Sequence, residues 1–270
     1  MPELPEVETI RRELAPRVVG RRINRVEIRW PGIIARVSPD IFRQRVQGAR
    51  VTDMGRRGKY LLWTLEPEGT VIVHLRMTGQ LHHHPSPIPA DKHTHLIMRL
   101  DDGSEVHYRD VRKFGRWYWT SAPEEVVGHL GPEPLSPEWT VEEFAAALGR
   151  RRRPIKALLL DQRVVAGLGN IYADEALFVA GIHPLRRGDT LRVEEVRRLH
   201  EAIRQVLLEA LHAGGSTFST YQRPDMGEGT YQRRHRVFRR TGHPCPVCGT
   251  PIERIRVSGR STHFCPHCQR

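Results

Sequence analysis

Cysteine is scarce in this chain of 270 residues, and all four examples lie between Cys245 and Cys268. A disulfide framework along the chain is thereby excluded, and a reducing compartment, the cytoplasm, is expected. Long apolar stretches are missing too. No run approaches the roughly 18 to 20 residues that a membrane helix needs. The opening Met1-Pro2-Glu3-Leu4-Pro5-Glu6 is acidic where a secretory signal is basic and then apolar, so neither secretion nor a membrane partner is expected. Lysine is rare: of 43 Lys and Arg, only positions 59, 92, 113 and 156 are Lys. Against 31 acidic residues this leaves a net charge of +12, split as +4 over residues 1–136 and +8 over 137–270. Such an excess points to a polyanionic partner, with nucleic acid the commonest, and otherwise to a merely basic soluble protein.

The patterning is that of an α+β protein. Residues 2–19 read as a helix, with Pro5 in its first turn, Glu3, Glu6 and Glu8 at its positive end, and Val7, Ile10 and Leu14 at helical spacing. Stretches at 25–29, 60–65, 70–75, 95–100 and 106–109 are short, apolar or alternating, and separated by Gly, Pro and Asp. So many strands after one helix predict a helix-led β-sandwich over 1–130. Gly131-Pro132-Glu133-Pro134 marks a linker at 131–136. Helices are predicted at 139–149, 154–164, 171–180 and 191–212, within a helical domain at 137–234 that ends in a mobile loop at 217–234. Residues 235–270 form a third element.

That element holds the most specific pattern. Cys245-Pro-Val-Cys248 and Cys265-Pro-His-Cys268 enclose sixteen residues, a spacing that lets two knuckles converge on one tetrahedral ion. Four thiolates close the coordination shell, so one structural zinc is expected, on a small hairpin with Arg260 near its turn. Arg233, Arg234, Arg236, Arg239 and Arg240 flank it, either as a phosphate-contacting surface or as a solvated face. The run Ala166-Gly167-Leu168-Gly169-Asn170, with Asn170 placed to cap the next helix, suits either an anion at the helix start or an ordinary helical turn. Removal of Met1 leaves a secondary amine on Pro2 beside Glu3 and Glu6. An α-amino group titrates well below lysine, so this one is a usable nucleophile for an aldehydic sugar carbon. The same residues are also plain helix-start chemistry.

Taken in order, the Pro-Glu-Leu-Pro-Glu start, the Gly-Leu-Gly-Asn helix pair and the terminal four-cysteine finger make the chain resemble formamidopyrimidine-DNA glycosylases. Further matches span nearly the whole chain: Lys59 in Arg-Arg-Gly-Lys-Tyr, His74-Leu-Arg-Met77, Lys92-His93-Thr-His95, Asp110-Val-Arg112-Lys-Phe114-Gly, and Gly259-Arg260-Ser-Thr-His-Phe-Cys265. The resemblance implies a helix–two-turn–helix domain, and a monomer that binds double-stranded DNA containing oxidised purines or abasic sites in a basic cleft between its domains. It implies that Pro2 forms a Schiff base with C1′, that Glu3 transfers protons at the sugar ring and that Glu6 supports the site. Lys59 and Arg260 match the positions tied to β- and δ-elimination. Met77, Arg112 and Phe114 match those that fill the hole left by the extruded base, although by themselves Met77 and Phe114 read as core and Arg112 beside Asp110 as a surface ion pair. DNA contacts are further implied at His93, Arg151 and Asn170, and at His74 and Lys156. The loop at 217–234 matches the segment that caps the flipped base.

Phe238 stands where the family usually has a tyrosine, which puts a phosphate hydrogen bond in doubt, although Arg239 offers a charge beside it. A metal cluster among His82, His83, His84, His93 and His95 is not expected, because no carboxylate pair accompanies it, and neither is a catalytic metal. Three competitors remain: an endonuclease VIII-type enzyme, disfavoured by Leu4; a non-catalytic module for damaged DNA; and a metal-dependent nuclease.

Overall fold

A computed structural model describes residues 2–217 and 223–270. These form two compact units, residues up to 129 with 213–230, and residues 130–212 with 231–270.

The first unit opens with α1 (Leu4–Val18), whose cap is Glu3. Val7, Ile10, Leu14 and Val18 share a face and are all wholly buried. Then follow β1 (Ile23–Ile28), α2 (Pro39–Val46), β2 (Arg50–Arg57), β3 (Tyr60–Glu66), β4 (Thr70–His74), β5 (Gly79–His84), β6 (Thr94–Leu100), β7 (Glu105–Asp110), β8 (Arg116–Thr120) and α3 (Glu124–Val127). The strands make two antiparallel sheets in the orders β1-β6-β7-β5 and β2-β3-β4-β8. On β3, Leu61, Trp63 and Leu65 alternate inward. Trp63 registers with Val71 on β4, and Val73 with Trp117 on β8. Tyr108 of the first sheet meets Trp117 of the second edge to face at 5.4 Å, closing the sandwich. At roughly 25 cal/mol per Å2 of apolar surface, these large rings carry much of the core's stabilisation. The helix-led sandwich expected from the sequence is therefore present.

The second unit contains α4 (Val141–Gly149), α5 (Ile155–Leu160), α6 (Asn170–Ala180) and α7 (Val193–His212), then the hairpin β9 (Glu253–Val257) and β10 (Arg260–Phe264). Thr140 caps α4, its hydroxyl accepting the Glu143 N–H at 3.2 Å while the Glu143 carboxylate takes the Thr140 N–H. On α7, Val196, Leu199, Ile203, Val206, Leu207 and Ala210 form the buried stripe. No helix among the described residues is long and apolar enough to cross a membrane.

Several boundaries differ from the sequence reading. α5 stops at Leu160 rather than 164, because the Asp161 carboxylate accepts the Arg163 N–H at 3.1 Å and draws the backbone out of the helix. Gly169, not Asn170, caps α6. The expected linker is packed onto the helical unit, with Gly131 N–H on the Gln162 carbonyl and Ala166 N–H on the Pro132 carbonyl. Residues 213–230 cluster with the sandwich rather than the helical domain, and the four-cysteine element is part of the helical unit. Of the expected mobile loop, 218–222 lie outside the described residues; Tyr231–Arg234 is a helical turn with Tyr231 wholly buried.

Candidate functional site

In the sandwich unit, Pro2 is buried directly ahead of α1, and Glu3 and Glu6 are each only 2% exposed. Glu6 is a two-handed acceptor. Its Oε2 takes the Glu3 N–H at 2.8 Å, and its Oε1 takes the Ser216 N–H at 2.7 Å. One carboxylate thus ties the helix start to the segment after α7. Gly215 permits this approach: a Cβ there would lie 2.8 Å from Glu6 Oε1, and its φ of +82° suits no larger side chain. Beyond the undescribed residues the same segment is anchored again, by Arg223 Nε on Glu13 at 2.6 Å and by the Pro224 carbonyl on the β5 amide of His83 at 3.1 Å. These contacts explain why it belongs with the sandwich.

Lys59 occupies the turn between β2 and β3 and is buried. Its turn is tied to α1 by Arg56, which donates to Glu8 Oε2 at 3.1 Å and to the Gly58 carbonyl at 3.0 Å. Burial alone would raise the Glu8 pKa; hydrogen bonds from Arg11 and Arg12 and the charges of Arg11 and Arg56 outweigh it and bring the pKa down to about 2. Sequence reasoning missed this Arg56–Glu8 tie, and Glu8 read only as a favourable charge near a helix start. His74 is 7% exposed, and its Nδ1 accepts the Arg76 N–H at 3.0 Å. Burial, then the charges of Arg76 and Lys59, push its pKa down to about 3, so the ring is neutral at physiological pH.

Met77 lies on the turn after β4, and Arg112 and Phe114 on the turn after β7. The structure brings the three together. Arg112 Nη1 donates to Met77 Sδ at 3.0 Å, and the guanidinium lies over the Phe114 ring at 4.5 Å. Met77 is 38% and Phe114 45% exposed, so neither is core. Nor does Arg112 follow the ion-pair reading, for Asp110 is wholly buried and takes its backbone N–H, while the guanidinium reaches outward. His93 is half-buried, its N–H on Asp91 and its carbonyl accepting the Asp110 N–H.

In the helical unit, Arg260 is exposed at the start of β10, after the two-residue turn Ser258-Gly259. Lys156 is a correction to the sequence reading: it is wholly buried and cannot reach a phosphate. Its Nζ lies 2.6 Å from Asp174 Oδ1 and donates to the Ser261 carbonyl at 3.0 Å and Thr262 Oγ1 at 2.7 Å. Asn170 Nδ2 donates to that Ser261 carbonyl at 2.9 Å, and Asp174 Oδ2 accepts the His263 N–H at 2.9 Å. The helix pair therefore holds the strand immediately beyond Arg260. Glu175 is buried and accepts the amide N–H groups of Arg236, Val237 and Phe238 at 2.9 to 3.0 Å. Burial raises its pKa despite those three bonds. Two acids in the otherwise apolar α6 were the available signal for both anchors.

The arginine run divides by role. Arg236 pairs with Glu209 at 2.9 Å and Arg240 donates to the His235 and Pro244 carbonyls, whereas Arg233, Arg234 and Arg239 are exposed. Phe238 is buried edge-on between His235 and His263. Arg151 follows α4, half-buried, with Nη1 on the Ala147 carbonyl at 2.9 Å.

The four cysteine sulfurs all lie within 4.8 Å of one another, with Cys245–Cys268 at 3.9 Å and Cys248–Cys265 at 3.5 Å, and none is in a disulfide. A tetrahedral zinc with Zn–S bonds near 2.3 Å sets its sulfurs about 3.8 Å apart, so the residues fit the ion. Val247 and Cys268 direct amide N–H groups at Cys245 and Cys265 Sγ at 3.4 Å, as thiolates require.

Three family models match the chain: the formamidopyrimidine-DNA glycosylase N-terminal domain over residues 1–117, the formamidopyrimidine-DNA glycosylase H2TH domain over 130–222, and the zinc finger found in FPG and IleRS over 242–270. The last agrees with the sulfur geometry, and the chain carries one structural zinc. A formamidopyrimidine-DNA glycosylase of Symbiobacterium thermophilum is 51% identical, covering 100% of this chain and 89% of that protein. One of Desulfitobacterium hafniense is 46% identical, covering 100% of each. Among solved structures, the complex between Lactococcus lactis Fpg and an abasic-site-containing DNA superposes with a TM-score of 0.93 at 37% identity over 99% of each chain. The MutM (FPG) protein of Thermus thermophilus gives 0.89 at 45% identity over 99% of this chain and 98% of that one. The chain belongs to the formamidopyrimidine-DNA glycosylase family and is thus a DNA glycosylase with abasic-site lyase activity.

Proposed function

We propose that this enzyme excises oxidised purines from double-stranded DNA through a Schiff base on Pro2 and then nicks the abasic site by β- and δ-elimination. The observation that carries the reading is the start of α1, where Pro2, Glu3 and Glu6 are buried together and the Glu6 carboxylate fixes the Glu3 backbone. Relatives support the substrate: solved complexes pair Lactococcus lactis Fpg with Fapy-dG-containing or abasic DNA, and MutM with carbocyclic 8-oxo-G-containing DNA.

The Pro2 nitrogen bonds C1′ as the glycosidic bond breaks; that bond's electron pair leaves with the base, which takes up the proton given up by the Pro2 N–H, so the nitrogen regains a lone pair. The Glu3 carboxyl delivers a proton to O4′, the sugar ring opens, and the nitrogen lone pair completes the iminium. Glu6 keeps Glu3 and Ser216 in place. Lys59 and Arg260 hold the phosphates that depart in the two eliminations, a role suited to fixed cations. Met77, Arg112 and Phe114 occupy the space of the extruded base. His93, Arg151 and Asn170 contact the DNA backbone; His74 serves by holding the turn beside Lys59. We place the enzyme in the cytoplasm at the nucleoid, acting as a monomer.

The test is borohydride trapping on a duplex with one 8-oxoguanine opposite cytosine, followed by mass mapping of the DNA-linked peptide. An adduct on Pro2 is expected, which also requires loss of Met1, a residue outside those described. Tight, zinc-dependent binding without an adduct on this duplex or on one carrying thymine glycol, or an adduct on another residue, would overturn the Schiff base on Pro2.

A further inference from the structure

The cluster of Met77, Arg112 and Phe114 is assembled from two turns that are distant in sequence, and something must hold those turns in register. We propose that Asp110 is the positioning residue that does so, its buried carboxylate serving as the shared acceptor for both turns. The inference rests on the reading that these three side chains fill the space of the extruded base.

Asp110 exposes no surface. Its Oδ1 accepts the Thr78 hydroxyl, next to Met77, and the Arg112 N–H at 3.2 Å. Its Oδ2 accepts the Tyr108 hydroxyl at 3.0 Å and the Gly115 N–H at 2.8 Å, next to Phe114. The Arg112 N–H is shared with Thr78 Oγ1 at 3.2 Å, so the two turns are joined directly as well. Four donors fill the acceptor capacity of one carboxylate. The Asp110 backbone is held too: its N–H donates to the His93 carbonyl at 2.9 Å, and its carbonyl accepts His95 Nε2–H at 2.8 Å. Burial and the Asp110 charge push the Tyr108 phenol far above its ordinary pKa, so it remains a donor. Gly115 is dictated by the same centre, since a Cβ there would fall 1.6 Å from Tyr108 Oη.

This arrangement makes a sharp chemical demand. In Asp110→Asn one oxygen becomes an NH2 donor of nearly the same size. Facing Oδ1's partners it opposes the Arg112 N–H, and facing Oδ2's partners it opposes the Gly115 N–H. A hydroxyl can turn round to accept, but an amide N–H cannot. Either orientation therefore frees one amide of the turn after β7, and so loosens that turn against the Thr78 turn, while volume and burial are kept.

The experiment follows base unstacking by stopped-flow fluorescence of 2-aminopurine placed beside 8-oxoguanine in a duplex, with the unfolding midpoint and zinc content of each variant measured in parallel. We expect D110N, folded and zinc-loaded, to slow the fluorescence rise about tenfold, as loss of one buried hydrogen bond allows. Added to the triple variant Met77→Ala, Arg112→Ala, Phe114→Ala, it should slow the rise no further, because it acts through those side chains. Rates like the unsubstituted enzyme in D110N while the triple variant is slow overturn the proposal. So does a further, additive loss in the combined variant. Should the triple variant itself unstack DNA normally, the space-filling reading fails and this inference falls with it. If D110N does not fold, Tyr108→Phe removes one donor to Asp110 and Thr78→Val removes one donor together with an acceptor of the Arg112 N–H: a slowed rise in Thr78→Val is expected, and normal rates in both refute the role.

Discussion

Lys156 Nζ lies 2.6 Å from Asp174 Oδ1, and neither side chain exposes any surface. A buried pair of this kind contributes little net stability over apolar residues of the same size, but removing one partner strands the other. That typically costs about 3–5 kcal/mol. Lys156→Met is therefore expected to lower the unfolding free energy by about that much in urea titrations, and to loosen the strand after Arg260 through loss of its bonds to Ser261 and Thr262. The salt dependence of DNA affinity should be unchanged in whatever protein remains folded. Unaltered stability with a salt slope shallower by about one would instead return Lys156 to the phosphate contacts.

Phe114 tests the opposite case. It is 45% exposed and packs on the Arg112 guanidinium rather than in the core. Phe114→Ala should change stability by no more than about 0.5 kcal/mol, as exposed substitutions usually do. DNA bending and base unstacking, read by end-to-end energy transfer and by 2-aminopurine, should be clearly impaired. A destabilised protein that bends DNA normally would mark Phe114 as a packing residue.

The contrast between these two residues shows how much was legible in the sequence. The sandwich could be read because strands such as β3 alternate plainly, and the zinc site because four cysteines at fixed spacing admit few alternatives. Exposure was not legible: nothing in Ile155-Lys156-Ala157 says that the lysine points inward, since the charge that receives it lies eighteen residues away on α6. Nor could local pattern show that Glu8 and Arg56 meet, or that Glu175 accepts three amides from the chain beyond α7. These anchors are long-range and polar, and periodicity carries no record of them. The segment after α7 misled for a related reason, because among the described residues its ties to the sandwich include isolated long-range bonds to Glu6, Glu13 and His83.

Zinc removal should act locally. Cys245 and Cys265 pack with Phe178, Val237 and Ile252 in one small cluster, so the ion and the apolar core of the hairpin depend on each other. One equivalent of zinc per chain is expected by elemental analysis of freshly reduced protein. Chelation should abolish hydrogen-exchange protection in β9 and β10 while leaving α1 and β3 protected. Protein free of zinc with the hairpin still protected would show that the apolar cluster suffices.

Acid should destabilise the protein in two overlapping windows. Burial first, and neighbouring positive charge second, depress His74 from 6.5 to about 3, and His82 and His235 to about 4. Above the unfolded value of about 6.5 both states are neutral and the full stability is present. As pH falls below it, the unfolded chain takes up protons that the folded chain refuses, so stability drops by up to about 1.4 kcal/mol per pH unit for each histidine. The carboxylates of Glu8, Asp161 and Glu195 sit near 2 in the folded protein, so their contribution is lost only as pH falls from about 4.5 toward 2. His74→Asn separates the windows, because the Asn Oδ1 replaces Nδ1 as acceptor for the Arg76 N–H while removing the titration. Urea unfolding at pH 7 and at pH 4.5 should show a smaller loss for this variant, by about one histidine's share, and an unchanged slope below about pH 3. An identical loss in both proteins would mean that His74 already titrates freely in the folded state, and that the positive charges of Lys59 and Arg76 do not bear on it.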